Sequence, residues 1–214
     1  MNLSRLRSNL DGVRSRIAAA CERAGRDPSG VTLIVVTKSV PAELIPRLAE
    51  LGVRDVGENR PVEALGRIGG LSGFRRHMIG HLQTNKIGKA LAWADVLHSV
   101  DRPSLLAALA KQPRKVPVFV QANVSGEASK GGYAPEDVGE AVAEARRSLE
   151  VLGLMTMAPE GTDARPHFRR LRELAAQVGV KGLSMGMSQD FEAGVEEGAT
   201  HVRVGTAIFE GVLI

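Results

Sequence analysis

The chain has 214 residues, of which 43% are hydrophobic, 24% charged and only 3% aromatic. This length and apolar content suffice for a full core, and we expect residues 1–214 to form one domain. The net charge of +4 comes from scattered arginines without a basic block, so nucleic-acid binding is not expected, and no apolar run approaches the roughly 20 residues that a membrane-spanning helix needs.

The N-terminal segment predicts an amphipathic helix packed on the domain. Its apolar residues form one stripe, made of Leu3, Leu6, Leu10, Val13 and Ile17. The acidic Asp11 and Glu22 argue against a transit peptide. Cys21, the single cysteine, excludes an internal disulfide framework and favours the reducing cytoplasm as the location. We interpret Cys21 itself as a small hydrophobic residue of the core.

Eight short segments with the features of strands follow, and each leads through a brief loop into a helical pattern. We predict strands at 31–38, 53–56, 76–79, 95–100, 116–124, 151–157, 181–185 and 201–204, and helices at 41–51, 61–68, 84–93, 103–110, 135–148, 164–178 and 189–197. This alternation is typical of parallel βα units. Eight units close into a cylinder, so we predict a single (β/α)8 TIM barrel with an additional N-terminal helix. A doubly wound open sheet is the alternative.

Polar residues stand at the end of every predicted strand. In such barrels the site is built just past the C-terminal ends of the strands. The residues at these ends are Lys38, Asn59, His81, Asp101, Asn123, Thr156, Ser184 and Arg203. We therefore expect them to converge on one mouth of the barrel, although polar strand ends also occur wherever strands meet water.

Lys38 ends the most apolar stretch of the chain, VTLIVVTK at 31–38. An ammonium group at the edge of a core is costly unless it is paired, solvated or neutralised. A neutral lysine is a nucleophile that attacks carbonyl groups, which makes Lys38 a candidate Schiff-base residue. The alternative is a lysine that simply extends into water.

The last two strand-end loops have the features of a phosphate site. Ser184 to Ser188 contains Gly186, and Arg203 to Thr206 contains Gly205. Backbone N–H groups freed by glycine at a helix start bind phosphate well, and the loops after strands seven and eight are its usual position in this fold. The alternative is that the glycines only form tight turns.

Arg203 lies on the last predicted strand and should point into the barrel, where it could pair with an acidic side chain or contact a ring nitrogen of a cofactor. Together with a phosphate site and a lysine on the far side of the mouth, Arg203 suggests a ligand that is both phosphorylated and an aldehyde. Pyridoxal 5′-phosphate (PLP) meets these requirements.

The sequence also resembles the pyridoxal phosphate homeostasis protein (YggS/PROSC) family, which is related to the N-terminal barrel of alanine racemase. The matching stretches cover nearly every strand end, and together they are highly specific. They are VTKSVP at 36–41, GENR at 57–60, HMIGHLQTNK at 77–86, HSVDR at 98–102, QANVSGEASKGG at 121–132, GLMTMAP at 153–159, LSMGMSQDFEAG at 183–194 and VRVGTAIFEG at 202–211.

This resemblance implies a fold-type III PLP protein and a role for each matching residue. Lys38 would form the Schiff base and Asn59 would lie beside the cofactor ring. The phosphate would be held by Ser184, Ser188, Gly205 and Thr206. Arg203 would face the pyridine nitrogen, where a permanently charged guanidinium donates a hydrogen bond without protonating the ring, which leaves the ring a weak electron sink.

The chain departs from the family pattern at Val40, where the family often has a second lysine. Any transfer of the aldehyde between neighbouring lysines would then need another residue. Lys130, in the loop after the fifth strand, is one candidate, and a solvated loop lysine is the plainer interpretation of it.

Two functions from different classes remain open. The favoured one is a monomeric protein that holds PLP on Lys38 and takes part in intracellular PLP (vitamin B6) homeostasis, without independent catalysis and with PLP-dependent apo-enzymes as recipients. The alternative is a PLP-dependent amino-acid racemase.

A racemase needs an acid/base on each face of its substrate. The related racemases take a tyrosine from a second domain, whereas this chain ends after the eighth strand and its only tyrosine, Tyr133, is predicted in a loop. His81 could serve as a base or could cap the following helix. A Schiff-base aldolase acting on sugar phosphates is a third possibility, although its lysine typically comes from a later strand.

Overall fold

A computed structural model describes residues 2–127 and 130–212. Two residues of the family-like stretch at 121–132, Ala128 and Ser129, lie outside this part. The strands are β1 (Thr32–Val36), β2 (Asp55–Glu58), β3 (Arg75–Met78), β4 (Val96–Val100), β5 (Val118–Gln121), β6 (Val151–Met155), β7 (Gly182–Met187) and β8 (His201–Val204). The helices are α1 (Leu3–Arg23), α2 (Arg47–Glu50), α3 (Pro61–Ile68), α4 (Ile87–Leu91), α5 (Pro103–Ala110), α6 (Val138–Arg146), α7 (Arg165–Gln177), α8 (Phe191–Glu196) and α9 (Thr206–Phe209).

The strands form one closed barrel in the order β1 to β8. Every neighbouring pair is parallel, and the seam is closed by β1 and β8, where Val35 pairs with Val204. The predicted (β/α)8 barrel is therefore confirmed, and the open-sheet alternative is excluded. The barrel brings the carboxyl ends of all eight strands to one mouth.

Helix α1 packs beside the seam, as its apolar stripe predicts, although Leu3 at its first position is exposed. Leu6, Leu10, Val13 and Ile17 are buried, and Cys21 is buried in the same face. The Asn9 side chain donates hydrogen bonds to the carbonyls of Ile208 and Glu210 at 2.9 Å each. These contacts join the first helix to the segment that follows β8. Within the described residues, no helix has the length and apolar character needed to cross a bilayer.

The largest departure from the predicted elements lies between β1 and β2. The predicted helix at 41–51 is instead a 3-10 turn at Ala42–Leu44 followed by the four-residue α2. Pro46 stands between them, and a proline lacks the N–H that a continuous helix would need there. The first strand also ends earlier than predicted, at Val36, so that Lys38 lies in a turn.

The barrel interior is separate from the larger core between strands and helices. The apolar side chains inside the barrel are those of Val96, Phe119 and Met155. Three histidines accompany them, because alternation along β3, β4 and β8 turns His77, His98 and His201 inward. The Phe119 ring stacks on that of His98 with centroids 4.5 Å apart and meets that of His201 at 5.0 Å. The interior of this barrel is therefore distinctly polar.

Candidate site at the barrel mouth

Lys38 lies in a turn that is fixed by two residues from the neighbouring βα unit. The Thr37 hydroxyl donates to the Glu58 carboxylate at 2.8 Å. Arg67 donates from Nη2 to the Thr37 carbonyl at 2.8 Å and also to the Val40 carbonyl, while its Nε lies 3.3 Å from Glu58. Lys38 itself is exposed. The turn is therefore rigidly held while its amine is accessible at the rim.

Glu58 and Arg67 hold the Lys38 turn, a role that the sequence pattern did not reveal. Glu58 is only 2% exposed, and a buried carboxylate requires a partner. Arg67 supplies that partner from α3, nine positions further along the chain. A glutamate at the end of an apolar strand, followed by an arginine on the next helix, was the available signal.

Asn59 follows β2 directly, and its side chain has an unusual environment. Its Oδ1 atom is buried and has no hydrogen-bond partner among the described residues. A buried carbonyl oxygen without a donor is costly, so such an atom points to a donor that a bound ligand would supply. A place for Asn59 beside a cofactor ring stays a prediction.

Ser188 joins the loops after β7 and β8. Its Oγ accepts hydrogen bonds from the backbone N–H of Gly205 at 3.2 Å and of Ala207 at 3.5 Å. Thr206 is exposed at the start of α9. We refer to Ser188, Gly205 and Thr206, which are predicted to hold a phosphate, as the anion nest. Gly186, which lies within β7 rather than in the predicted loop, has a φ of +96°, a conformation that glycine adopts without strain.

The anion nest lies directly beside the end of β1. A Cβ atom at Gly205 would stand 3.1 Å from the Val36 Cβ and 3.2 Å from the Val36 carbonyl oxygen. Only a glycine lets the two strand ends approach this closely. Because Val36 is two residues before Lys38, the lysine and the nest follow neighbouring strands of the barrel. Our expectation that they face each other from opposite sides of the mouth was wrong, since closure of the barrel makes β1 and β8 adjacent.

Arg203 points into the barrel and has neutral partners. Its Nη1 donates to Ser184 Oγ at 2.6 Å, and its Nη2 donates to the Thr156 carbonyl at 3.0 Å. Within the described residues it forms no ion pair, so the predicted alternative of an acidic partner is not realised there. Burial lowers the pKa of Arg203 to about 10, which leaves the guanidinium charged at neutral pH. Its charge is therefore available to a ligand.

Ser184 is placed with Arg203, in the barrel interior. Its hydroxyl is fully buried and also lies 2.8 Å from His98 Nδ1. The bonds of Ser188, in contrast, are made at the start of α9. The structure therefore brings Ser188, Gly205 and Thr206 together and places the Ser184 hydroxyl in a different set of contacts. A contact between Ser184 and a phosphate stays a prediction.

The remaining predicted strand-end residues occupy the side of the mouth formed by β3, β4 and β5. His81 is 60% exposed and lies 2.7 Å from the Asp101 carboxylate. It does not cap the following helical segment, whose first residues have no side-chain cap. Asn123 organises its own loop by donating to the carbonyls of Glu127 and Lys130. These residues shape the rim rather than the seam.

Lys130 and Tyr133 lie in the segment between β5 and α6. Lys130 Nζ lies 3.9 Å from the Glu127 carboxylate. Tyr133 is buried, and its hydroxyl has no hydrogen-bond partner among the described residues. Burial, assisted by the negative charge of Asp101, raises the pKa of Tyr133 to about 12. A tyrosine in this state is a poor proton acceptor at neutral pH.

The fold and the site define a (β/α)8 barrel that presents an accessible lysine beside an anion nest and a buried arginine. No family model matches the sequence. The chain is 43% identical over 221 residues to the pyridoxal phosphate homeostasis protein of Pseudomonas aeruginosa, which covers 97% of this chain and 96% of the relative. It is 40% identical over 217 residues to the protein of the same name from Aquifex aeolicus, covering 94% and 95%. The chain therefore belongs to the pyridoxal phosphate homeostasis protein family, as its motifs indicate.

Solved structures agree with this assignment. PipY of Synechococcus elongatus PCC7942, in a structure with PLP bound, is 31% identical with a TM-score of 0.79, covering 95% of this chain and 99% of PipY. Alanine racemase from Corynebacterium glutamicum is 20% identical with a TM-score of 0.67, covering 94% of this chain and 60% of the racemase. The second likeness shows the shared barrel alone.

Proposed function

We propose that this chain binds PLP at the barrel mouth, with Lys38 as the covalent attachment point, and that it takes part in intracellular PLP homeostasis without catalysing a reaction of its own. The observation that carries the proposal is the seam, where Gly205 contacts the strand that leads to Lys38. This closeness supports a single small molecule that binds both Lys38 and the anion nest. The PLP bound in the PipY structure supports the same ligand.

The residues at the mouth fit the chemical groups of PLP. The unpaired Oδ1 of Asn59 would receive a hydrogen bond at the edge of the ring. Ser188, Gly205 and Thr206 would hold the phosphate, and Arg203 would donate to the pyridine nitrogen. When bound, PLP supplies an aldehyde that condenses with a lysine amine. Glu58 and Arg67 hold the Lys38 turn in place for that attachment.

The properties of Tyr133 and Arg203 favour a holding role over racemisation. Racemisation requires a proton acceptor on each face of the substrate, and Tyr133, with a pKa of about 12, is protonated at neutral pH. An arginine at the ring nitrogen stabilises a neutral pyridine, because it donates a hydrogen bond without giving up its proton. The ring then withdraws electrons weakly, which disfavours carbanion chemistry.

The cellular setting forms a further part of the proposal. We propose that the chain acts as a monomer in the cytoplasm and supplies PLP to PLP-dependent apo-enzymes. The buried, unpaired Cys21 is compatible with a reducing compartment. The exposure of Lys38 supports release, since an accessible attachment point can exchange its ligand with another protein.

Absorption spectroscopy tests the ligand and its attachment. The purified protein incubated with PLP should show an absorption band at about 420 nm, as expected of PLP condensed with an amine. Lys38→Ala should abolish the band, and the matched control Lys130→Ala should keep it. Loss of the band in Lys130→Ala together with its retention in Lys38→Ala would refute the assignment. Incubation with L-alanine followed by chiral analysis should leave the L-enantiomer unchanged, and formation of D-alanine would establish a racemase.

A further inference from the structure

A continuous row of polar side chains runs through the barrel interior from the mouth to the opposite end. Arg203 Nη1 lies 2.6 Å from Ser184 Oγ, which lies 2.8 Å from His98 Nδ1. His98 Nε2 lies 2.9 Å from His77 Nδ1, and His77 Nε2 lies 2.9 Å from Asp55 Oδ1. Asp55 opens β2, so it stands at the end of the barrel away from the mouth. We refer to these five residues as the interior chain.

The donors and acceptors of the interior chain allow its hydrogen bonds to run in one direction only, from Arg203 to Asp55. A guanidinium can only donate, so Ser184 Oγ accepts from Arg203 and its own proton goes to His98 Nδ1. His98 must then carry its proton on Nε2 and donate to His77 Nδ1. His77 in turn donates from Nε2 to the Asp55 carboxylate. The opposite orientation would leave the Ser184 proton without an acceptor and set a lone pair of His77 against the carboxylate.

The surroundings hold the two central rings in place. Phe119 stacks on His98 at 4.5 Å between centroids. His201 lies 6.0 Å from His98 and 6.3 Å from His77 between ring centroids. His77 and His98 are both fully buried. Neither ring can rotate without displacing these neighbours, so the hydrogen bonds along the interior chain are fixed by packing as well as by polarity.

We propose that the interior chain positions the Arg203 guanidinium for the pyridine nitrogen of the bound cofactor and links it to the carboxylate of Asp55. Ser184, His98, His77 and Asp55 are then positioning residues, which act on the ligand only through Arg203. This inference depends on the proposed function for the identity of the ligand. In this inference Ser184 positions Arg203 and does not bind the phosphate, because the one proton of the Ser184 hydroxyl is already donated to His98. The phosphate is then bound by the anion nest alone.

Nitrogen-15 NMR of the ligand-free protein tests the interior chain itself. Long-range correlations between ring protons and ring nitrogens distinguish the two neutral forms of histidine. We expect His77 and His98 each to carry one proton, on Nε2, at neutral pH. Ser184→Ala should remove the donor to His98 Nδ1 and move that nitrogen resonance, while the control Ser188→Ala should leave it in place. A proton on Nδ1 of either ring in the wild-type protein would overturn the inference.

The effect on the ligand is tested by the pH at which the visible band of the PLP-loaded protein is half lost. Asp55→Asn keeps the shape of the side chain and removes its charge. His98→Asn keeps an acceptor near Ser184 and breaks the link to His77. Both variants should retain the band, and the midpoint pH of the band should shift by about half a unit. This is less than the roughly one to three pKa units by which a directly adjacent charge shifts a group, because these residues act only through Arg203. Met155→Leu is a matched control inside the barrel and should leave the midpoint unchanged.

The outcomes separate this inference from the proposed function. One outcome is a wild-type protein that shows the band while Asp55→Asn and His98→Asn have the same midpoint pH as the wild type. This result would overturn the role of the interior chain and leave PLP binding intact. A shift of equal size in Met155→Leu would show a general response to packing and would also overturn it. A wild-type protein without any band would refute the proposed function, and the action on the ligand would fail with it.

Discussion

His201 should make the stability of the ligand-free protein strongly dependent on pH below neutrality. Burial, followed by the neighbouring His77 and Arg75, lowers the pKa of His201 from 6.5 to about 4. Arg203 acts in the same direction, whereas Asp55 opposes the shift. His201 therefore binds a proton at a lower pH in the folded protein than in the unfolded chain. Protonation thus favours the unfolded chain, so the free energy of unfolding falls as the pH drops below 6.5 and stops falling near pH 4.

The magnitude follows from the size of the shift. Each pKa unit corresponds to about 1.4 kcal/mol, so His201 contributes roughly 3 kcal/mol over the whole range and about 2 kcal/mol between pH 7.5 and pH 5. This is a large share of the roughly 5 to 15 kcal/mol by which folded proteins are stable. His98, whose pKa burial lowers well below its ordinary value, adds to the loss in the same direction.

Urea unfolding of the ligand-free protein at several pH values measures this effect. The free energy of unfolding should fall between pH 7.5 and pH 5, and His201→Gln should reduce that fall by about 2 kcal/mol. His167→Gln, which removes a histidine of α7, controls for the change in histidine number. If His201→Gln and the wild type lose the same free energy over this interval, the inference that burial of His201 opposes its protonation is refuted. The slope with urea should be compared as well, because a changed slope would indicate a changed unfolded state.

Three further substitutions test the mouth of the barrel. Arg67→Ala removes the donors that fix the lysine turn and leaves Glu58 without its cation. Its Kd for PLP, measured by titration, should therefore rise roughly tenfold, whereas the Kd of the exposed control Arg60→Ala should stay at the wild-type value. Gly205→Ala places a Cβ 3.1 Å from that of Val36 and should raise the Kd for PLP by about tenfold or more with a smaller effect on Tm, and an unchanged Kd would contradict the close contact at the seam. Tyr133→Phe removes a buried hydroxyl without a described partner, so the free energy of unfolding should stay constant or rise by about 1 kcal/mol, and a loss of that size would reveal a hydrogen bond that the structure does not show.

The fold was predictable because its signal is repeated along the chain. Each strand is short and is followed by a helical pattern, so an error in the bounds of one element leaves the count of eight intact. The helix predicted at 41–51 shows the limit of such patterns. Its apolar spacing continues through Pro46, but the missing N–H of that residue divides it into a 3-10 turn and the short α2.

The candidate site was only partly predictable, because adjacency in a closed barrel is not visible in a linear sequence. Lys38 and Gly205 were recognised from their positions at strand ends, but their closeness depends on the pairing of β1 with β8. Arg67 was missed because its role arises from packing of α3 against the lysine turn. His77 and His98 were included in the family-like stretches without a role, since hydrogen bonding between inward-facing residues of different strands leaves no local pattern.

The position of the site at the seam gives the ligand a structural role as well. Lys38 follows the first strand and the anion nest follows the last two, so one molecule bound to both would join the beginning and the end of the barrel. Nothing covalent closes a cylinder built from one chain, and among the strands of the described residues β1 and β8 are the only paired neighbours that are distant in sequence. Helix α1 supports the same seam from outside through Asn9. A ligand that binds only the folded state adds stability in proportion to the logarithm of its concentration relative to Kd, and here that stability acts where closure of the chain costs the most entropy. At the proposed site, holding PLP and keeping the barrel closed would thus be two consequences of the same contacts.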